Sequence, residues 1–199
     1  MNRLEEIVTS KDEVLKRCSY ILVNQVTKYD RPYIRRPINQ TLELRYKVDI
    51  SDVLENARIA LEEPHIERIG LTEEELYEHA YRNTMKKFPY KLQSLTDALG
   101  CSIFESKVPL YVLTNEMTVN GAGVILYEGM RDILLDAVEN EFIAIPSSIH
   151  EWIIVPEILR DVGTITKMIQ EVNSTVVSPN EVLSDRPYEL VADGELYEL

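Results

Sequence analysis

The sequence predicts an α+β fold: a mostly antiparallel, mixed sheet of about six strands in strand–strand–helix units, with helices packed on it. Three observations carry that expectation. Residues 42–50 alternate without error, Leu42, Leu44, Tyr46, Val48 and Ile50 on one face and Glu43, Arg45, Lys47 and Asp49 on the other, which is the pattern of a strand with one face on a core. The stretch 141–157, EFIAIPSSIHEWIIVPE, holds two apolar runs, 142–145 and 152–155. Each is too short for a stable helix and rich in β-branched and aromatic residues, so the two read as buried neighbouring strands. Finally, Thr72 and Glu75 form a capping box before a helix over 73–87, with glutamates at its positive end and Leu76 and Ala80, with Tyr77, Thr84 and Phe88, as its inner stripe.

The other elements follow in order. Leu4, Ile7, Val8, Val14, Leu15, Cys18, Ile21 and Leu22 recur at helical spacing, predicting a helix over 4–23 broken near Thr9 and Ser10. Two prolines make 28–37 a loop. Ala57, Ile59 and Leu61 continue the alternation in a second short strand, and 91–99 reads as a short helix ended by Gly100. A strand at 110–113, turn chemistry at 114–121 and a return strand at 124–127 precede a helix over 129–138. After Pro156, Ile158, Leu159, Val162, Ile165, Met168, Ile169 and Val172 mark a helix despite Gly163. From 173 onward the chain is polar and irregular, with a short strand at 188–191. The order of two strands and a helix thus recurs at 42–87, 110–138 and 142–172, and the strand pairs imply antiparallel pairing with helices on one face. The expected organisation is an N-terminal helical segment and loop (1–40), an α+β domain (41–175) and an irregular tail (176–199).

Composition narrows the function classes. The 199 residues, 45% apolar and 28% charged, suit a globular chain able to bury a full core. A net charge of −13 repels nucleic-acid phosphates and anionic membrane, which disfavours both as partners. No apolar run reaches the roughly 18 residues of a membrane span. Residues 1–10 lack a basic start and an apolar signal core, so a cytoplasmic location is expected. Cys18 and Cys101 lie far apart without zinc-type spacing and read as two small buried thiols.

Three ordered motifs carry a resemblance: LTEEELYEHAYRNT (71–84), PLYVLTNEMTVNGAGVILY (109–127) and FIAIPSSIHEWIIVP (142–156). Together they resemble the bacterial family called domain of unknown function 5688, over roughly residues 65–157. The resemblance implies a cytoplasmic bacterial protein. It carries no catalytic residue or substrate, because the family's activity is unknown.

Candidate site residues come from the chemistry of the side chains. Ser148 and His150 suggest a nucleophile and its base, with Glu151 or Glu116 as orienter, although no Gly-x-Ser-x-Gly elbow surrounds the serine. Extended geometry sends His150 and Glu151 to opposite faces, and the segment lacks the second histidine of a zinc-protease helix, so no metal site is assigned. If the 115–121 and 146–151 connections lie at one sheet end, Asn115, Glu116, Ser148, His150 and Glu151 share a polar rim, with Asn120 in the same turn. Arg31, Arg35 and Arg36, interleaved with tyrosines, form the basic cluster of an acidic chain; they either hold a phosphate or neutralise neighbours such as Glu43. Gly121-Ala122-Gly123 is not a phosphate loop, and no cofactor is expected. Two function classes follow. The first is a non-enzymatic protein-interaction module with a protein partner, favoured by eleven tyrosines of the kind interfaces use. The alternative is a hydrolase-like or metal-dependent enzyme using Ser148, His150 and Glu151.

Overall fold

The computed structural model describes residues 2–25, 32–100 and 108–199. Arg31 of the basic cluster, its neighbours Lys28, Tyr29 and Asp30, and Cys101 lie outside the described residues. The chain runs α1 (Arg3–Thr9), α2 (Lys11–Arg17), β1 (Cys18–Asn24), β2 (Arg35–Pro37), β3 (Leu42–Asp49), β4 (Arg58–Ala60), α3 (Glu63–Arg68) and α4 (Glu73–Lys87). It continues with β5 (Tyr90–Ser94), α5 (Leu95–Leu99), β6 (Tyr111–Asn115), a 3-10 helix (Gly121–Leu126), α6 (Met130–Val138), β7 (Phe142–Ser148) and β8 (Glu151–Pro156). A second 3-10 turn (Glu157–Leu159), α7 (Val162–Thr175), β9 (Tyr188–Leu190) and β10 (Leu196–Glu198) complete it. Among the described residues no helix is long and apolar enough to cross a membrane.

The fold is α+β, with a six-stranded antiparallel sheet in the order β10-β9-β7-β8-β6-β5. A second, four-stranded sheet has β3 at its centre, paired with β1 on one side and with β2 and β4 on the other. Residues before 41 therefore pair with β3 through β1 and β2, and β9, from beyond 175, pairs with β7.

Local chemistry explains the elements that the sequence predicted. Thr72 accepts the Glu75 N–H at 3.2 Å and Glu75 reaches back to the Thr72 N–H at 3.1 Å, so α4 starts on a complete capping box. Its Leu76, Ala80 and Thr84 are buried against β1. The Thr84 hydroxyl accepts the Tyr20 N–H at 3.0 Å. β7 and β8 are central and covered on both faces. Phe142, Ala144, Trp152 and Ile154 join Met130, Leu134 and Val138 of α6 in the main core, whereas Ile143 and Val155 meet Ile165 and Ile169 of α7 on the other face. Burial on both faces is why these strands read as continuous apolar runs rather than alternating ones.

Several expectations are corrected. Residues 18–24 form β1 rather than the end of a helix, because CSYILVN pairs along its whole length with β3 from Cys18↔Val48 to Asn24↔Leu42. Residues 90–94 form β5 rather than a helix, their backbone taken up by β6 from Tyr90↔Asn115 to Ser94↔Tyr111. The return strand expected at 124–127 is a 3-10 helix, closed by Tyr127 N–H donating to Val124 O at 3.0 Å. The middle strand–strand–helix unit is therefore absent, and the helices lie on both faces of the six-stranded sheet. α3, with a proline in its first turn, and β10 were not anticipated.

Candidate functional site

The joint between the 115–122 and 147–151 connections is built from hydrogen bonds that each use at least one backbone group. β7 and β8 pair as a hairpin with a bulge between Pro146 and Ser148, which throws Ser147 out of register. The turn is then fixed to the 115–122 segment. Ala122 N–H donates to Ile149 O at 3.1 Å, the Thr114 hydroxyl donates to His150 O at 2.7 Å, and Asn120 N–H donates to His150 Nδ1 at 2.9 Å. Trp152 Nε1–H closes the joint from below, donating to Ala122 O at 2.7 Å. Gly121 has to be glycine here: a Cβ on it would lie 2.3 Å from Thr114 Oγ1, 2.6 Å from His150 O and 2.7 Å from Asn115 N.

This geometry gives each sequence-predicted residue a position. His150 Nδ1 accepts a backbone N–H, which leaves the ring proton on Nε2, 3.4 Å from Glu181 Oε1. Ser148 Oγ accepts the His150 backbone N–H at 3.1 Å, and Glu151 Oε1 accepts from Ser147 Oγ at 3.3 Å. Both ring nitrogens of His150 thus face partners other than Ser148, and the base-to-nucleophile hydrogen bond that serine chemistry uses is not formed. Glu116 is exposed, tied in by its backbone N–H to Pro89 O at 3.0 Å. Asn115 is buried, its Nδ2 donating to Val119 O at 3.0 Å, and Asn120 acts through its backbone in a left-handed conformation (φ 52°). The structure therefore brings Asn115, Asn120, Ser148, His150 and Glu151 into one corner, as members of a joint. No three His, Cys, Asp or Glu side chains cluster to hold a metal ion among the described residues.

Arg35 and Arg36 diverge, as neighbours on a strand do. Arg35 is exposed, 3.7 Å from the buried Glu43, whose other oxygen takes Arg45 Nε at 2.7 Å. Arg36 grips the start of α4, with two 2.9 Å hydrogen bonds to Glu73, a further bond to Glu74, and its guanidinium 3.8 Å above the Tyr77 ring. Partial burial works to raise the Glu73 carboxyl. Hydrogen bonds from Arg36 and from Tyr46 outweigh it and hold that carboxyl below the usual range.

A larger concavity lies elsewhere among the described residues. A groove of about 1090 Å³ runs where the two sheets meet, bordered by residues 36–40, by Tyr77 and Tyr81 of α4, by 125–132 at the start of α6, and by 190–198. None of Ser148, His150, Glu151 or Glu116 lines it. Its borders are pinned in place. The Tyr81 hydroxyl accepts Glu128 N–H at 2.7 Å and donates to Leu126 O at 3.3 Å. Arg131 Nε donates to Leu190 O at 2.9 Å, and Asn39 Nδ2 donates to Leu196 O at 2.9 Å. Four tyrosines line it, Tyr127 buried, Tyr77 and Tyr81 half-buried and Tyr197 exposed. Sequence reasoning missed this surface. Arg36 was the one groove residue it singled out, and the tyrosine count was its one general signal.

Comparison with known proteins gives a family and no activity. The model of a family of unknown function (DUF5688) matches residues 37–190. No curated protein and no solved structure matches the chain.

Proposed function

We propose a function on one premise: the chain belongs to the family of unknown function DUF5688. On that premise it is a non-enzymatic protein-interaction module that docks a segment of a partner protein in the groove between its sheets. The observation that carries this reading is the groove itself, pre-formed, about 1090 Å³ in volume and lined by four tyrosines. That volume is at the upper limit of the roughly 300–1,000 Å³ of small-molecule sites, room enough for a peptide segment. Tyrosine supplies large amphipathic contact area with little side-chain freedom to lose, as interface surfaces require. The His150 corner supports the same reading from the other side, since Thr114, Ser148 and His150 spend hydrogen bonds on backbone groups of the joint. A cytosolic location goes with this reading, in keeping with the free buried thiol of Cys18.

The test is selection of binders from a random-sequence peptide display library on the native chain, followed by affinity measurement on Tyr197→Ala. Tyr197 is half-exposed and its ring is outside the core, so its removal leaves the fold intact. The reading expects enriched peptides whose affinity falls about fivefold or more in the variant. Enrichment of nothing, or of peptides indifferent to Tyr197→Ala, overturns it.

A further inference from the structure

We infer that the docked segment is basic, presenting lysine or arginine side chains to carboxylates on the groove's borders; the inference rests on the interaction reading above. Two arginines border the groove, and both are already neutralised. Arg36 is held by Glu73 and Glu74, and Arg131 by Glu141 at 2.8 Å. Five carboxylates border it as well: Glu128 and Asp132 from the start of α6, and Asp193, Glu195 and Glu198 from β10 and the turn before it. Glu198 stands 3.5 Å from Arg186, whereas the other four have no cation within ion-pair distance among the described residues.

The excess negative charge therefore sits in a concave surface, where low-dielectric walls concentrate the field, on a chain that already carries −13. The exposed ring of Tyr197 lies among these acids, its hydroxyl bonded to Glu195. An aromatic face beside carboxylates suits an ammonium or guanidinium, which gains from the ring's negative face as well as from the ion pair. An acidic segment would meet four uncompensated like charges, and a wholly apolar one would leave them desolvated without partners. The spread of these carboxylates over two segments, 128–132 and 193–198, favours several such cations along a chain over a single small cation.

The experiment uses three fluorescein-labelled nine-residue peptides with leucines at the same positions and Lys, Gln or Glu at the rest, titrated by anisotropy. The Lys peptide is expected to bind about tenfold or more tightly than the Glu peptide. Glu128→Gln with Asp132→Asn should weaken it about fivefold, from the loss of two partly exposed pairs. The distal pair Glu55→Gln with Glu171→Gln, which changes net charge equally, should leave it within about twofold. Equal weakening by the groove pair and the distal pair would mean that the Lys peptide feels only the overall charge, and it overturns the inference. Binding of the Gln or Glu peptide that matches the Lys peptide and is lost in Tyr197→Ala overturns the inference while leaving the interaction reading standing. Failure of Tyr197→Ala to affect any of the three removes the interaction reading as well.

Discussion

Gly121→Ala tests the idea that the NGA and PSSIHE motifs form a joint. The added Cβ would sit 2.3 Å from Thr114 Oγ1, 2.6 Å from His150 O and 2.7 Å from Asn115 N. Two of those three atoms are backbone and cannot swing aside, so the 3-10 helix and the β7–β8 turn must separate. Separation lengthens the Ala122-to-Ile149 and Thr114-to-His150 hydrogen bonds together. Overpacking of this kind costs about 1–3 kcal/mol, and the backbone partners put it at the upper end. Gly163→Ala is the internal control. Its Cβ meets only Asp161 Oδ1, at 3.6 Å, within the first turn of α7. There the substitution restricts the unfolded chain without strain and is expected to stabilise by about 0.4–1 kcal/mol. The same chemical change thus has opposite signs at the two positions. Urea and thermal unfolding measure both. For a chain of this size the expected drop for Gly121→Ala is roughly 5–10 °C in Tm, against a small rise for Gly163→Ala. A Gly121→Ala chain within about 1 °C of the native one would refute the claim that these loops are locked together.

Three further outcomes follow from the packing and the charges. Trp152 is the chain's one tryptophan and is fully buried, so native fluorescence should be blue-shifted and move red on unfolding; Trp152→Phe, which strands the Ala122 carbonyl, should cost about 1–3 kcal/mol by urea denaturation. Glu75 is held down to about 2, chiefly by the hydrogen bond from Lys11 and then by the Thr72 N–H, and Glu73 is also held below the usual range. Both folded values lie under the unfolded value of about 4.3, so their stabilisation is full above that pH and is lost as pH falls toward about 2. The Tm gap between the native chain and Glu75→Gln should therefore be open at neutral pH and closed in strong acid; a gap independent of pH would contradict it. Burial pushes the Cys18 thiol up to about 12 despite the nearby Asn83 amide. In a Cys101→Ser background a disulfide reagent near neutral pH should react with Cys18 only as fast as the chain opens, and rapid reaction of the folded chain would count against its burial.

What the sequence made legible was whatever its local pattern determines. The capping box of Thr72 and Glu75 sets the start of α4, and strict alternation over 42–50 sets β3. The doubly apolar runs set β7 and β8. β1 was misread because Tyr20, Ile21, Leu22 and Val23 are all buried; with both faces covered, period-2 information vanishes and the helical spacing of the preceding turn extends by default. The segment 124–127 was misread because a short apolar run fits a strand or a turn of helix equally, and only the docking of Gly121 and Gly123 against Thr114 and Tyr20 decides. The corner at His150 was half legible. A shared sheet end for the two turns entered only as a condition, and Nδ1 accepting a backbone N–H cannot be read from residue types. The groove was legible only in Arg36 and the tyrosine count, since its borders come from four segments spread between 36 and 198.

The central claim is that the family motif around His150 is architecture while binding belongs to the groove. Affinity for a peptide selected on the native chain, measured side by side on His150→Gln and Tyr197→Ala, separates the two most directly. His150→Gln should lower Tm, because its amide oxygen sits one bond further out than Nδ1 and misplaces the acceptor for Asn120 N–H, and leave the affinity of the folded chain within about twofold. Tyr197→Ala should leave Tm nearly unchanged and weaken binding about fivefold or more. The reverse pattern, with binding lost in His150→Gln at unchanged stability and retained in Tyr197→Ala, would contradict the account.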